Sequence, residues 1–169
     1  MIMQEKTILF VEDNISEVEL AKRAFSKAPI GHRLVVVSDG QEALDYLLGT
    51  GAHAGRDAFD LPALILLDLK LPKISGLEVL RRIREHGTTR RIPVVIFSSS
   101  REESDRAAGY DLGANSYLRK PMHFTELQQQ LAVLCAYWLT HNEPPPRASS
   151  EGLAPGLRWL GKVSLDGGI

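Results

Sequence analysis

The sequence predicts a doubly wound α/β domain in which helices cover both faces of a five-stranded parallel sheet. Short apolar runs alternate five times with longer stretches that have helical spacing. Several of these runs are β-branched and apolar throughout, as expected of strands that are covered on both faces. Pairs of a serine and, three residues later, a Glu or Gln mark candidate helix starts between the runs.

The predicted strands and helices follow one another in strict alternation. In chain order, the strands are Thr7–Val11, Leu34–Val37, Ala63–Leu67, Val94–Phe97 and Ser116–Leu118. The helices are Ser16–Lys27, Gln41–Leu48, Leu77–Glu85, Glu102–Leu112 and Phe124–Leu139. This alternation predicts a parallel sheet with right-handed crossovers and with helices on both of its faces.

Capping residues support four of the five helix starts. The predicted capping boxes are Ser16/Glu19, Ser38/Gln41, Ser75/Glu78 and Ser100/Glu103. In such a box, each side chain satisfies a free backbone N–H of the other residue. At the other end of the fourth helix, Gly113 follows Leu112 and accepts the left-handed conformation of a C-terminal cap.

We expect one domain at residues 1–140 and a Pro/Gly-rich tail at 141–169, with no separate output domain. Three consecutive prolines, Pro144–Pro146, favour an extended linker through which the last helix cannot continue. The tail also carries a small apolar cluster formed by Leu157, Trp159, Leu160 and Val163. This segment could contact a surface or a partner chain, or it could be disordered.

Composition argues against several classes of protein. A net charge of −1 gives no reason to expect binding to nucleic acid or to an anionic membrane. The arginines of Arg81–Arg84 and Arg90–Arg91 are expected on the solvent face of a helix. A single cysteine, Cys135, excludes an internal disulfide framework and a multi-cysteine zinc site, and we expect it to be buried. The first residues lack a basic signal-peptide region, and the longest apolar run, Leu131–Leu139, is far short of the ~20 residues that span a bilayer, so we expect a cytoplasmic protein.

Chemically active side chains follow four of the five strands. Glu12 and Asp13 follow the first strand, Asp68 the third, Ser98 the fourth and Lys120 the fifth. Doubly wound sheets bind ligands outside the carboxyl ends of their strands, so we expect these side chains to meet. Two carboxylates stand where a nucleotide- or flavin-binding fold has a phosphate-cradling loop, and three carboxylates together suit a hard cation. The sequence therefore predicts a Mg²⁺-bridged phosphoryl site.

The side-chain types suggest a role for each residue in phosphoryl transfer. Asp68, at the centre of the group, is the candidate nucleophile. Asp13 is expected to bind Mg²⁺ directly and Glu12 through a metal-bound water. Lys120 would place a positive charge against one phosphoryl oxygen, and the Ser98 hydroxyl would donate to another.

Four motifs resemble those of receiver domains of two-component response regulators, over roughly residues 5 to 140. They are Phe10-Val11-Glu12-Asp13-Asn14, Leu66-Leu67-Asp68-Leu69-Lys70-Leu71-Pro72 with Gly76, Pro93-Val94-Val95-Ile96-Phe97-Ser98-Ser99, and Tyr117-Leu118-Arg119-Lys120-Pro121. Each motif is weak alone, but their order and spacing are highly specific. Two positions depart from common usage, since many members carry Asp at position 12 and Thr at position 98.

The resemblance implies a flavodoxin-like (βα)5 topology and a switch rather than a classical enzyme, although phosphoryl transfer and loss are self-catalysed. It implies that Asp68 accepts phosphate from a sensor histidine kinase and that Lys70 gives the metal its backbone carbonyl. It also implies a conformational switch through Ser98 and Tyr117, and a cis Lys120–Pro121 peptide bond. Within the family, the VEDN motif, the long Gly49–Pro62 loop and the end of the last helix look most like regulators paired with phytochrome-type kinases.

Three other functions have weaker support in the sequence. A haloacid-dehalogenase-type enzyme has a second Asp two residues after the nucleophile, but here that residue is Lys70. A DNA-binding regulator would need a helix-turn-helix after Thr140, for which the tail is too short and Pro-rich. A phosphorylation-independent receiver that serves as a binding module stays open, although the intact set of site residues argues against it.

The last helix predicts a homodimer because it is apolar on two sides. One stripe, which faces the core, is formed by Phe124, Leu127, Leu131, Leu134 and Trp138. A second apolar surface is formed by Ala132, Val133, Ala136, Tyr137 and Leu139. A helix that is apolar nearly all round is usually covered on more than one side, so a second protomer, the tail or a partner should contact this surface.

Overall fold

A computed structural model describes residues 5–28 and 31–146. The predicted apolar cluster of the tail lies outside the described residues. Among them, no helix has the length and hydrophobicity to cross a membrane.

The described residues form one sheet of five parallel strands with helices between them. The strands are β1 (Lys6–Val11), β2 (His32–Val37), β3 (Leu64–Leu67), β4 (Val94–Ser98) and β5 (Ser116–Arg119). The helices are α1 (Ile15–Phe25), α2 (Gly40–Leu48), α3 (Gly76–Glu85), α4 (Glu103–Asp111) and α5 (Phe124–Cys135), with a 3₁₀ turn at Gly51–His53 and a π-helical turn at Ala136–His141. The strand order β2-β1-β3-β4-β5 confirms the predicted doubly wound, flavodoxin-like fold.

The central strands are buried on both faces. Along β1, Leu9 and Val11 pack with α2 and α3, whereas Ile8 and Phe10 pack with α1 and α5. The residues of β3 alternate in the same way, and all four of its side chains are fully buried. This arrangement explains why both strands are apolar throughout, and it places the order reversal of the sheet between β1 and β3.

Two of the helices are capped by residues other than the predicted serines. Asn14 caps α1 by accepting from the Glu17 N–H at 3.2 Å, and Asp39 caps α2 by accepting from the Glu42 N–H at 2.8 Å. Ser75 caps α3 as predicted, with the Glu78 N–H at 3.3 Å. The predictions for Ser16 and Ser38 were wrong because Asn14 and Asp39, whose side chains are at least as good caps, stand directly before the first helical residues, Ile15 and Gly40.

The fourth predicted capping box was also wrong. Glu102 precedes α4 without making a side-chain cap. Ser100 accepts from the Glu102 N–H at 3.2 Å and donates to the Asp105 carboxylate, so its hydroxyl is used in the loop before the helix. The end of α4 agrees with the prediction, since Gly113 has a left-handed φ of 95°.

The last predicted helix changes character before it ends. The α-helical part stops at Cys135, and the wider π turn that follows carries Leu139 into the core, where it is 5% exposed. Lys6 donates from Nζ to the Leu139 carbonyl at 2.5 Å. Leu139 therefore does not belong to the second apolar surface, and that part of the prediction was wrong.

The basic run on α3 does not lie entirely on the solvent face. Arg81 pairs with Glu78 and Glu85 on the surface, as predicted. The guanidinium of Arg84 instead points towards the sheet. It donates to three backbone carbonyls and one side-chain oxygen, which belong to Arg90, Ile92, Gly113 and Asn115. Arg84 thus ties α3 to the segments that begin β4 and β5.

The long loop after α2 packs against that helix. The Arg56 guanidinium lies 3.9 Å from the ring centroid of Tyr46 and donates to the Tyr46 carbonyl at 2.8 Å. The His53 ring meets the same tyrosine edge-on at 5.2 Å. These contacts hold the loop against α2.

Candidate functional site

Backbone hydrogen bonds just beyond the strands fix the site. The Glu12 N–H donates to the Val37 carbonyl at 3.0 Å, and the Asp68 N–H donates to the Val11 carbonyl at 3.1 Å. The Lys120 N–H donates to the Ser98 carbonyl at 2.9 Å. Each bond continues a strand ladder by one residue, so the side chains leave a rigid edge of the sheet.

Glu12, Asp13 and Asp68 converge at this edge, as the sequence predicts. One carboxylate oxygen from each lies within 4.8 Å of the others. Glu12 and Asp68 are buried, at 1% and 6% exposure, while Asp13 is exposed. Three carboxylates that converge with one side open to solvent offer the oxygen donors and room for waters that a hard divalent cation prefers. The residues therefore fit such an ion.

The two carboxylate oxygens of Asp68 have different surroundings. Oδ1 accepts from the Leu69 N–H at 2.8 Å, and Oδ2 lies 3.3 Å from Nζ of Lys120. The first contact fixes the plane of the carboxylate. The contact with Lys120 places a positive charge beside Oδ2.

The Lys120 ammonium is a positive charge that contacts three carboxylates, those of Glu12, Glu17 and Asp68. It donates to both Glu12 and Glu17, and the lysine side chain is 11% exposed. Burial alone would lower the pKa of Lys120, but the hydrogen bonds to Glu12 and Glu17 outweigh burial and hold the pKa above its usual value. The lysine therefore carries its charge at physiological pH.

The pKa values of the two glutamates beside Lys120 are shifted in opposite directions. Burial, followed by the hydrogen bond with Glu17, raises the pKa of Glu12 to about 8, against the opposing effect of Lys120. Burial opposes the shift of Glu17, but hydrogen bonds with Glu12 and Lys120 lower its pKa. The surroundings therefore favour the charged form of Glu17 over that of Glu12.

Glu17 is the site residue that sequence reasoning missed. It lies in the first turn of α1, which begins at Ile15 shortly after β1 ends at Val11, and its N–H donates to the Asn14 side chain. An acidic residue one helical turn after a strand-end carboxylate was the available signal. Its contact with Lys120 joins positions 103 residues apart, which local patterns do not reveal.

Tyr117 lies on β5, as predicted, and Ser98 is the last residue of β4, which extends one residue further than predicted. Ser98 is 1% exposed, and its Oγ accepts from the Ser100 N–H at 3.1 Å. The Tyr117 hydroxyl donates to the Ser100 carbonyl at 3.3 Å. The loop after β4 therefore connects the two residues, and their role as a switch stays a prediction.

The loop after β3 contains Lys70 and leads into Gly76. The Lys70 side chain is exposed, and the role of its backbone carbonyl as a metal ligand stays a prediction. The Gly76 N–H donates to the Leu69 carbonyl at 2.9 Å. A Cβ on Gly76 would lie 2.1 Å from the Asp68 carbonyl oxygen, so the motif requires glycine here.

One implication of the resemblance was wrong. The described residues contain no cis peptide bond, so the Lys120–Pro121 bond is trans. The trans isomer is the lower in energy for a peptide bond before proline, by about 0.5–1 kcal/mol.

Several proteins of known class are similar to this chain. A probable methanogenesis regulatory protein, FilR2 of Methanothrix harundinacea, is 40% identical over 82% of the chain and 86% of its own length. The response regulator Rcp1 of Synechocystis is 36% identical over 79% of the chain and 89% of its own length.

Solved structures agree with these relatives. The phosphorylated cyanobacterial phytochrome response regulator RcpA superposes with a TM-score of 0.78 at 38% identity, over 85% of this chain and 100% of RcpA. The Mn²⁺-bound form of Rcp1 superposes with a TM-score of 0.76 at 35% identity, over 83% of this chain and 99% of that one. The response regulator receiver domain matches residues 8–132. With its strand order and acidic edge, the chain therefore belongs to the response regulator receiver family of two-component signalling, and its relatives include regulators associated with phytochromes.

Proposed function

We propose that the chain accepts a phosphoryl group on Asp68 from the phosphohistidine of a sensor histidine kinase. The observation that carries this proposal is the environment of the Asp68 carboxylate. One oxygen is held by the Leu69 N–H, and the other lies 3.3 Å from Lys120 within the acidic group. Asp68 is thus oriented by the backbone and faces the charge that a phosphoryl oxygen needs.

The transfer is a displacement at phosphorus. An oxygen of Asp68 attacks, a new O–P bond forms, and the P–N bond to the kinase histidine breaks. The imidazole nitrogen leaves with the electron pair. Lys120 offers its ammonium to one phosphoryl oxygen and Ser98 its hydroxyl to another. Hydrolysis of the acyl phosphate later returns the switch to its resting state.

We propose Mg²⁺ as the resident cation. Asp13, Asp68 and the backbone carbonyl of Lys70 would bind it directly, and Glu12 would bind through a water. When bound, the cation supplies charge neutralisation for the phosphoryl oxygens. The donor set consists of oxygens, which suits Mg²⁺, and the related Rcp1 has been crystallised with Mn²⁺.

A kinase of the phytochrome type is the proposed partner, because relatives of this chain are described as phytochrome response regulators. We propose the cytoplasm as the place of this exchange, because such a kinase takes its phosphoryl group from ATP. We further propose that phosphorylation moves Ser98 towards the new phosphoryl group and Tyr117 into the space that it leaves. The downstream target would recognise this change, with no output domain or nucleic acid required.

A homodimer is proposed from the outer face of α5 and of the π turn that follows it. Val133 and Tyr137 are 69% and 51% exposed, and Ala132 and Ala136 beside them are half-buried. These four residues form the remaining part of the predicted second apolar surface. A contact between two copies of this face would remove both large side chains from water.

Phosphorylation by a small donor tests the proposed function. The protein is incubated with acetyl phosphate in Mg²⁺ or in EDTA, and the intact mass is measured for the wild type, Asp68→Asn and Asp111→Asn. Asp111 is an exposed aspartate at the end of α4 and serves as the matched control. We expect the wild type and Asp111→Asn to gain one phosphoryl group in Mg²⁺ alone and Asp68→Asn to gain none. A wild type that gains no phosphate would favour the phosphorylation-independent binding module instead.

A further inference from the structure

Lys120 has a partner that lies outside the acidic group. Glu12 and Asp68 both contact its ammonium, and both belong to the three carboxylates that could hold a cation. Glu17 also contacts the ammonium but does not belong to that group. The proposed phosphoryl transfer uses Lys120 and gives Glu17 no role.

We propose that Glu17 is a positioning residue that holds Lys120 before phosphoryl transfer and competes with the phosphoryl group for it. This inference rests on the proposed function of Asp68. It predicts that the Glu17 carboxylate restrains phosphorylation, because Lys120 must leave it to meet the new phosphoryl oxygen.

Cation binding would make Glu17 the main remaining partner of Lys120. A divalent cation between Glu12, Asp13 and Asp68 neutralises the carboxylates that also attract the lysine. Glu17 keeps its full charge, since it stands outside that group. The lysine of the metal-loaded site is then divided between Glu17 and an incoming phosphoryl group, which brings nearly two negative charges.

Exposure makes Glu17 a partner that can release the lysine. Its side chain is 39% exposed, whereas that of Glu12 is 1% exposed. A carboxylate left without its cation is stabilised by water when it is exposed and is strongly disfavoured when it is buried. Lys120 can therefore leave Glu17 at a modest cost in free energy, which a reversible switch requires.

The fold allows the Glu17 side chain to be changed alone. Its backbone N–H is held by Asn14, so the start of α1 does not depend on the Glu17 carboxylate. Glu19 lies on the same helix, is exposed, and pairs with Lys22 at 3.3 Å rather than with Lys120. Glu19→Gln therefore removes the same charge from α1 without touching the site, and it serves as the matched control for Glu17→Gln.

The experiment compares the wild type, Glu17→Gln and Glu19→Gln at saturating Mg²⁺. The apparent second-order rate constant for phosphorylation by acetyl phosphate is obtained from intact mass at timed intervals. The NMR signals of the Lys120 side-chain Cε and Nζ are recorded before and after phosphorylation. Thermal melting verifies the fold, and Glu17→Ala provides a second variant with the same expected direction.

We expect Glu17→Gln to raise the rate constant about three- to tenfold, the size expected for one partly screened charge close to the reacting group. Its Lys120 signals should shift, before phosphorylation, towards those of the phosphorylated wild type. Glu19→Gln should change neither quantity. An unchanged or lower rate in both Glu17 variants, or unmoved Lys120 signals, would overturn this inference alone. Absence of phosphorylation in the wild type would overturn the proposed function as well.

Discussion

The backbone N–H of Asp68 donates to the carbonyl of Val11 at 3.1 Å, so the acceptor residue is bonded directly to the strand that ends in Glu12 and Asp13. The sheet therefore fixes the backbone of Asp68 next to the end of β1, from which Glu12 and Asp13 follow. A like-charged group of this kind costs free energy in the folded state, which neighbouring packing must offset. The backbone of Asp68 is also closely packed, since Gly76 lies directly against its carbonyl.

Gly76→Ala should distort the backbone that carries Asp68. The new Cβ would lie 2.1 Å from the Asp68 carbonyl oxygen and 2.7 Å from the Leu69 Cα, both of which are backbone atoms. We expect a loss of about 1–3 kcal/mol in the free energy of unfolding, measured with urea, and slower phosphorylation by acetyl phosphate. Gly87→Ala is the control, because a Cβ there meets nothing within 4 Å. Equal stability of the two variants would contradict the close approach.

Arg84→Ala should destabilise the domain more than Arg82→Ala. Arg84 donates to the carbonyls of Arg90 and Ile92, which would lose a charged donor in a half-buried setting. We expect a loss of about 2–3 kcal/mol in the free energy of unfolding. Arg82 pairs only on the surface with Glu78, so its replacement should cost less than about 1 kcal/mol. Urea unfolding of both variants checks the difference, and similar midpoints would show that Arg84 acts only as a surface residue.

The buried thiol of Cys135 provides a prediction about pH. Burial raises the pKa of Cys135 to about 11, from 9.0 in an exposed thiol, so folding favours the neutral form. The stability from this preference is fully present below pH 9 and declines as the pH rises from 9 towards 11. Cys135→Ala should remove that part of the decline, as measured by urea unfolding across this pH range. Rapid alkylation of native protein at pH 8 would contradict the burial of the thiol.

Particular residues show what the sequence could and could not predict. The apolar runs located β1 and β3 to within one residue. Strands that are buried on both faces consist almost entirely of apolar residues, so their ends are visible in the sequence. The prediction for β2 began at Leu34 instead of His32, because the edge strand pairs its first two residues through the backbone and both are polar. The caps at Asn14 and Asp39 were missed because Ser16 and Ser38, which are equally good capping residues, lie within two positions of them.

The candidate site was likewise predictable from the sequence only in part. The approach of Glu12, Asp13 and Asp68 followed from strand order alone, because parallel strands end at one edge. The contact of Glu17 with Lys120 depends on the direction of a side chain on α1, which no spacing rule supplies. The partly buried hydrogen bonds of Arg84 were missed for the same reason. The sequence does not show which of the neighbouring arginines on α3 directs its side chain towards the sheet.

Negative charge on the outer face of α5 and the following π turn should separate a dimer. Val133→Glu with Tyr137→Glu would bring like charges together if two copies meet on this face. We expect sedimentation velocity to show a dimer for the wild type and a monomer for the double variant, with unchanged phosphorylation by acetyl phosphate. Leu20→Glu, at an exposed leucine on α1, is the control and should remain a dimer. A monomeric wild type at high micromolar concentration would contradict the proposal.

Lys120→Gln should affect cation binding and phosphorylation in opposite directions. The ammonium contacts Glu12 and lies 3.3 Å from Asp68, so it competes with a divalent cation for two of the three carboxylates. Its removal should tighten Mg²⁺ binding about three- to tenfold, which corresponds to roughly 1 kcal/mol. The same variant should be phosphorylated more slowly, since it lacks the positive charge that meets the phosphoryl oxygen. Isothermal titration calorimetry and intact mass measure the two effects, with Lys22→Gln on the surface of α1 as the control. Weaker Mg²⁺ binding in Lys120→Gln would mean that the lysine arranges the carboxylates for the cation instead of competing with it.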